Sequence, residues 1–257
     1  MQIRVRLFAR YREATGRERL ELELADGDTV DRAWAAVVDR HPELKQYRPH
    51  TLFAVGHDYV APDHRLKSGD ELCLFPPVSG GAASEGAPPP ARPEGATAPS
   101  ESSPRAIGAR AEPAPEPADT YGVVDTPLSA DAITAAVDHP GAGGVVIFSG
   151  VVRNETGGRS VKFLEYEAHA PMAEAKLREI GRALRARWPG VKRVAMLHRM
   201  GRLEIGESSV LIAVSAGHRQ EAFEACKFAI DTLKRTVPVW KKEHFEDGEV
   251  WVGLQGG

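Results

Sequence analysis

Phe75-Pro76-Pro77-Val78-Ser79-Gly80-Gly81 closes the first compact segment of the sequence, and a long stretch that cannot form a core follows it. A Gly-Gly end carries no side chains, so it can pass through a narrow channel and present a backbone carboxyl group to another active site. A bare Gly-Gly pair is more often a flexible hinge before a linker. The residues on both sides of the pair decide between these two interpretations.

Upstream of this stretch, apolar and charged residues alternate through residues 2–9 and again through residues 19–24. This period of two is typical of half-buried strands. Residues 11–16 lie between the two stretches and are predicted to be a turn, which makes the pair a hairpin.

A helix and two further strands complete the first segment. Asp28 and Thr29 are candidate N-caps of a helix that ends before Pro42. Short strands are predicted at residues 52–55 and 71–75. Two strands, a helix and further strands within residues 1–81 predict a β-grasp domain, the ubiquitin-like arrangement.

The composition changes abruptly after Gly81. Of the 38 residues 82–119, nine are Pro and eleven are Ala, and Ile107 is the only large aliphatic residue. Such a segment cannot bury enough apolar surface to offset its ordering entropy, so it is predicted to be disordered. As a flexible coil it would span roughly 35 Å. It is therefore predicted to be a linker between two domains.

Residues 120–257 are predicted to form an α+β domain with a largely antiparallel sheet. The apolar run 144–152 predicts a buried strand that leads into a polar glycine loop. Ser129 is the predicted N-cap of a short helix, and longer helices are predicted at 171–188 and 219–236, the second of which Pro238 ends. Further strands are predicted at 121–124, 161–168, 191–198, 209–215, 239–245 and 249–252.

Composition narrows the class of protein. Among the 257 residues, 42% are hydrophobic and 27% are charged, as is normal for a globular protein. The formal net charge is −3, and no segment is basic enough to predict nucleic-acid binding. No apolar stretch is long enough for a membrane span, and the N-terminus lacks the apolar core of a signal peptide. Cys73 and Cys226 lack metal-binding spacing and are predicted to be buried thiols, so a cytoplasmic protein without a metal site is expected.

Basic residues at the ends of the predicted elements are the candidate functional groups. His218-Arg219 opens the helix 219–236, where backbone N–H groups and the helix dipole favour an anion such as phosphate. Taken singly, each candidate is more often structural; a lysine in the last turn of a helix, for example, interacts favourably with the dipole. The remaining basic candidates are Arg153, Lys234, Lys241 and Lys242.

Several motifs resemble a known family. Residues 1–81, with Leu7-Phe8-Ala9 and the terminal Gly-Gly, resemble the small sulfur-carrier subunit of molybdopterin synthase, and residues 121–257 resemble its large catalytic subunit. The motifs that carry the second resemblance are Ser149-Gly150-Val151-Val152-Arg153-Asn154, Leu197-His198-Arg199-Met200-Gly201, Ser215-Ala216-Gly217-His218-Arg219 with Ala222-Phe223-Glu224-Ala225, and Leu233-Lys234 through Pro238-Val239-Trp240-Lys241-Lys242-Glu243. The two matches cover nearly everything outside the linker, so the chain resembles a fusion of both subunits.

The resemblance implies a reaction. Gly81 would carry a thiocarboxylate, made after ATP-dependent adenylation by a separate E1-like enzyme. The tail would enter a pocket of the second, α/β-hammerhead-like domain and deliver sulfur to cyclic pyranopterin monophosphate, which forms the dithiolene of molybdopterin. No permanently bound cofactor is implied. The family also implies a homodimer through the catalytic domains.

The resemblance also implies roles for the candidate residues. Lys234 would give acid–base or covalent assistance at the carbon that accepts sulfur, with Lys241 beside it. The remaining candidates would bind the anionic substrate: Arg153, His218, Arg219, Lys242 and Glu243.

The sequence departs from the family at one position. In the family the Gly-Gly is a free C-terminus, whereas here Ala82 follows Gly81, which leaves no carboxylate to adenylate. Cleavage after Gly81 is therefore a hypothesis. One alternative is a catalytic half that is served by a separately encoded carrier. Another is a ubiquitin-like modifier fused to a phosphate-binding module. The second Gly-Gly, at residues 256–257, is predicted to be a polar tail.

Overall fold

We describe the protein from a computed structural model, which covers residues 1–77 and 119–252. Gly81, the linker up to residue 118 and the second Gly-Gly lie outside the described residues. The first domain contains, in order, β1 (Gln2–Leu7), α1 (Ala9–Thr15), β2 (Arg19–Glu23), α2 (Val30–Arg40), a 3-10 segment (Pro42–His50), β3 (Leu52–Val55), β4 (Asp58–Val60) and β5 (Glu71–Phe75).

The first domain is the expected β-grasp. Its sheet has the order β2-β1-β5-β3-β4, with β1 parallel to β5 and the other pairs antiparallel. Thr29 caps α2 by accepting from the N–H of Arg32, as predicted. Trp34 and Val37 of α2 pack on one face of the sheet and close the domain core.

The predicted turn at residues 11–16 is wrong, because α1 occupies Ala9–Thr15 and Gly16 ends it in a left-handed conformation, with φ 65°. A seven-residue helix has too few turns to show a helical period. Ala9 and Tyr11 are fully buried, and Ala9 has the unusual φ of 47° for a residue with a side chain. Tertiary packing therefore decides the conformation of this segment.

The second domain contains β6 (Thr120–Val124), α3 (Ala130–Ala136), β7 (Gly144–Val151), β8 (Glu155–Thr156), β9 (Arg159–Ala168), α4 (Ala170–Arg187), β10 (Val191–Arg199), β11 (Gly201–Glu204), β12 (Ser208–Ala216), α5 (Arg219–Thr236), β13 (Val239–Phe245) and β14 (Gly248–Val252). One sheet has the order β6-β10-β12-β7, and α4 and α5 pack on one of its faces while α3 packs on the other. The other sheet has the order β11-β9-β13-β14, with β8 beside β9. The α+β prediction is confirmed.

The predicted burial of β7 is only half right. The strand lies at an edge of its sheet, and its residues alternate in exposure. Phe148 packs in the core, whereas Val145, Ile147 and Val151 are exposed on the other face. An uninterrupted apolar run cannot distinguish a strand buried on both faces from one with an uncovered face.

Asp119 belongs to the second domain and not to the linker in which the sequence placed it. Its carboxylate accepts from Arg185 Nη2 at 2.5 Å, from the Val194 N–H at 2.9 Å and from the Tyr121 hydroxyl at 2.8 Å. These bonds attach the start of β6 to α4 and β10. A single polar residue after a Pro/Ala-rich run gives no local signal of such contacts.

We expect Asp119→Ala to lower the free energy of unfolding by about 3 kcal/mol, because it removes a largely buried carboxylate that accepts three hydrogen bonds and leaves the partly buried Arg185 without its counterion. Thermal denaturation of the full chain measures the effect. Glu116→Ala, three residues earlier, is the control and should change stability by less than about 0.5 kcal/mol. Equal small effects of both substitutions would contradict the assignment of Asp119 to the domain.

The two cysteines are buried, as predicted from the sequence. Cys73 and Cys226 are both buried free thiols, and burial raises their pKa, to about 12 and about 11 respectively. Among residues 1–77 and 119–252, no helix is both long and apolar enough to cross a membrane.

Candidate active site

A cavity of about 200 Å³ opens in the second domain where the two sheets meet the end of α5. Four of the sequence candidates line it: Arg153, Lys234, Lys241 and Glu243. Three of the four are cationic side chains. These cationic groups favour an anionic ligand. The apolar side chains Leu164, Val210 and Leu233 cover part of the wall and strengthen this attraction, because they exclude water.

Lys234 and Arg153 are free cations at this cavity. Lys234 is exposed in the last turn of α5, and Arg153 is exposed directly after β7. Neither side chain makes a hydrogen bond or ion pair with another described residue. Both are therefore available to a ligand without first losing a partner.

Lys241 is held differently. Its ammonium group lies 2.8 Å from Oε1 of Glu243, which is only 3% exposed and also accepts from the Thr156 hydroxyl at 3.3 Å. The pair fixes the position of both side chains in the wall of the cavity. Glu243 therefore acts on a ligand through Lys241 as well as directly.

Four polar residues of the cavity were missed as site residues, among them Thr156 of β8, whose hydroxyl donates to Glu243. His198 at the end of β10, Tyr166 on β9 and Ser209 on β12 all line it. The ring centroids of Tyr166 and His198 lie 5.1 Å apart in an edge-to-face arrangement, and the Ser209 hydroxyl donates to the carbonyl of Gly150 at 3.0 Å. A histidine directly after the apolar run 194–197 was the available signal, and His198 stood in one of the motifs quoted above.

His218 and Arg219 lie away from the cavity. They begin α5, whereas Lys234 lies near its end, and fifteen residues of helix separate the two positions by about 22 Å. One chain cannot therefore bring both groups to one small ligand. Their predicted role in substrate binding stays a prediction, and it requires a second copy of the chain.

Lys242 faces the opposite side of β13 from Lys241, because neighbouring residues of a strand alternate between faces. Its ammonium group pairs with Glu13 of α1 at 2.8 Å and with Glu249. Trp251 Nε1 donates to the other carboxylate oxygen of Glu13 at 2.8 Å. Lys242 therefore joins the two domains, and the structure does not place it at the cavity.

The structure favours the charged forms of both Glu13 and Lys242. Burial by itself raises the pKa of Glu13 and lowers that of Lys242, but the hydrogen bonds outweigh it. Donation from Lys242 and Trp251 holds the pKa of Glu13 below its usual value, and acceptance by Glu13 and Glu249 holds that of Lys242 above its usual value. The contact is therefore an ion pair at neutral pH.

The two domains of the chain are docked through a buried aromatic cluster, which we call the docking cluster. Its members come from both domains: Phe8, Ala9, Ala54, Cys73, Phe75, Met172, Trp240 and Trp251. The rings of Phe75 and Trp240 are 5.0 Å apart, and Trp240 Nε1 donates to the carbonyl of Pro76 at 3.0 Å. Trp240 is therefore a residue of the interface between the two domains.

Polar contacts surround the docking cluster. Arg12 Nη1 donates to Oε1 of Glu167 at 3.1 Å, while Nη2 lies 3.0 Å from Oε2. The Tyr59 hydroxyl donates to the carbonyl of Thr236, two residues beyond Lys234, at 3.3 Å. The β-grasp domain is therefore fixed next to the end of α5 that carries a cavity lysine.

These features define a fusion of a ubiquitin-like domain with a larger domain that has a cationic cavity. The ThiS family model matches residues 5–81, and the MoaE protein family model matches residues 123–236. The chain belongs to the molybdopterin synthase catalytic subunit family, and it carries the ThiS-family domain in the same polypeptide.

The relatives match the second domain. The molybdopterin synthase catalytic subunit of Nostoc sp. is 47% identical over 141 residues, which are 54% of this chain and 86% of the relative. That of Halalkalibacterium halodurans is 47% identical over 135 residues, 52% of this chain and 86% of the relative. The crystal structure of molybdopterin synthase from Staphylococcus aureus has 42% identity and a TM-score of 0.50, and covers 52% of this chain and 96% of its own.

Proposed function

We propose that the chain is a molybdopterin synthase in which carrier and catalyst are fused, and that it acts as a sulfurtransferase in the cytoplasm. Gly81, as a thiocarboxylate, would supply sulfur to cyclic pyranopterin monophosphate bound in the cavity. Two transfers would give the dithiolene of molybdopterin. The observation that carries this proposal is the docking of the β-grasp domain beside the cationic cavity.

The position of the docked domain supports transfer within one chain. Pro76 is bonded to Trp240, and the next residue of β13, Lys241, lines the cavity. The four residues that lead from Pro77 to Gly81 can span at most about 14 Å. With this reach and this position, the carrier domain is proposed to serve its own catalytic domain.

The cavity residues have separate roles in this proposal. Arg153 binds the phosphate or another anionic oxygen of the substrate. Lys234, which has no other partner among the described residues, exchanges a proton at the carbon that accepts sulfur or bonds to it. Lys241, fixed by Glu243, stabilises the negative charge of the incoming thiocarboxylate.

Three further steps lie outside the described residues or outside this chain. Cleavage after Gly81 would create the carboxylate, and a separate E1-like enzyme would adenylate and sulfurate it with ATP. The catalytic domain would form a homodimer, in which His218 and Arg219 could reach the cavity of the second copy. No cofactor would be permanently bound.

The test is a single-turnover reaction. Chain cleaved after Gly81 and bearing the thiocarboxylate is mixed with cyclic pyranopterin monophosphate, and the pterin product is analysed by mass spectrometry. We expect sulfur incorporation into the product and loss of the thiocarboxylate. If the pterin gains sulfur only when a separately encoded carrier is added, the alternative is supported, in which the catalytic half depends on another carrier.

A modifier fused to a phosphate-binding module is a second candidate function. In that case the pterin would stay unchanged in this reaction.

A further inference from the structure

The hydrogen bond of His198 at the wall of the cavity determines which of its ring nitrogens carries the proton. Nδ1 lies 2.9 Å from the carbonyl oxygen of Arg199. Because a carbonyl oxygen only accepts, Nδ1 must carry the proton and donate. In the neutral ring, Nε2 then has a free lone pair.

The ring is neutral at physiological pH. His198 is 5% exposed, and burial lowers its pKa to about 4, although the bond to Arg199 partly opposes this shift. A group with so low a pKa is a weak base. Nε2 is therefore suited to accept a hydrogen bond rather than to remove a proton.

Nε2 opens to the cavity. It makes no hydrogen bond with another described residue. Unlike the unpaired Nε atoms of Arg6 and Arg199, it is not completely enclosed by protein atoms. Since His198 lines the cavity, the remaining contact for this atom is the cavity itself.

The other polar side chains of the cavity wall already make hydrogen bonds within the protein, although the Ser209 and Thr156 hydroxyls and Oε2 of Glu243 can still accept. Glu243 is bound by Lys241 and Thr156, and the Ser209 hydroxyl bonds to the carbonyl of Gly150. The pKa of Tyr166 is raised, mainly by burial, and its hydroxyl interacts with Ser209. The three cationic groups of the wall only donate. Within the described residues, Nε2 of His198 is thus an uncharged acceptor at the cavity that has no hydrogen-bond partner.

We propose that Nε2 of His198 accepts a hydrogen bond from a ring N–H of the substrate and thereby fixes the orientation of its heterocycle in the cavity. The proposal rests on the proposed function, in which the substrate is a pterin with several N–H donors. The basic groups bind its anionic part, which alone would leave the ring free to rotate. His198 supplies the second fixed point and discriminates against heterocycles that offer no donor there.

Two substitutions of His198 separate the acceptor from the structural bond. The side-chain amide of His198→Asn can still donate to Arg199 from the position of Nδ1, but no atom replaces Nε2. The amide of His198→Gln places an acceptor at the position of Nε2 and loses the donor at Nδ1. Binding of cyclic pyranopterin monophosphate to the full chain is measured by calorimetry, and the fold of each variant is checked by thermal denaturation.

We expect His198→Asn to weaken binding by about tenfold and His198→Gln to stay within about threefold of the unsubstituted protein. In the unsubstituted protein, the ¹⁵N resonance of Nε2 should shift when the ligand is added. Unchanged affinity in His198→Asn, equal losses in both folded variants or an unshifted resonance would overturn the proposal. If the unsubstituted protein did not bind the compound at all, the proposed function itself would fail.

Discussion

Lys234→Ala is expected to lower the rate of sulfur transfer by about 10²–10⁴-fold while substrate binding changes little. The ammonium group of Lys234 lines the cavity without a partner among residues 1–77 and 119–252, and the neighbouring carrier domain bonds to the carbonyl of Thr236 on the same turn. Transfer is measured in the single-turnover reaction, and binding by calorimetry.

Arg235→Ala is the matched control, because Arg235 is exposed on the next position of α5 and does not line the cavity. It should transfer sulfur at close to the unsubstituted rate. If Lys234→Ala lost affinity and rate in the same proportion, Lys234 would be a binding residue. If neither changed, the chemistry would have to be assigned to another group.

Phe75→Ala is expected to weaken the docking of the two domains by about 10²–10⁴-fold. Phe75 is fully buried in the docking cluster and contacts Trp240, Phe8 and His169. Removal of a buried phenylalanine ring costs about 3–5 kcal/mol, and each 1.4 kcal/mol changes an equilibrium constant tenfold. The measurement uses a chain with a protease site engineered into the linker, and the affinity of the two fragments is determined after cleavage.

Leu52→Ala is the control for this substitution. Leu52 pairs with Phe75 across β3 and β5, but its side chain is 37% exposed and does not belong to the docking cluster. It should weaken docking by less than about threefold. Unchanged affinity in Phe75→Ala would show that the domains do not use this interface in solution.

The features that follow local rules were predicted from the sequence. Alternation located β1 and β2 of the β-grasp, whereas β4 was not predicted; the Thr29 cap gave the start of α2, and Ser129 caps α3 as expected. Pro238 lies just beyond the end of α5. Each of these signals acts within a few residues of the element that it defines.

The cavity could be predicted only in part, because residues distant in the sequence form it. Arg153, Lys234, Lys241 and Glu243 were named, since they end or follow strong elements in motifs that resemble the family. Lys242 was grouped with Lys241, although the period of a strand places neighbours on opposite faces. Its partner Glu13 is 229 residues away, which no local pattern indicates.

Whether Gly81 carries the sulfur that this chain transfers is tested by the intact mass of the protein isolated from its native host. We predict a fragment that ends at Gly81, part of which is heavier by the replacement of one oxygen by sulfur. Only the full-length mass, in cells that make molybdopterin, would contradict this role of Gly81. The second domain would then depend on sulfur from a separate carrier.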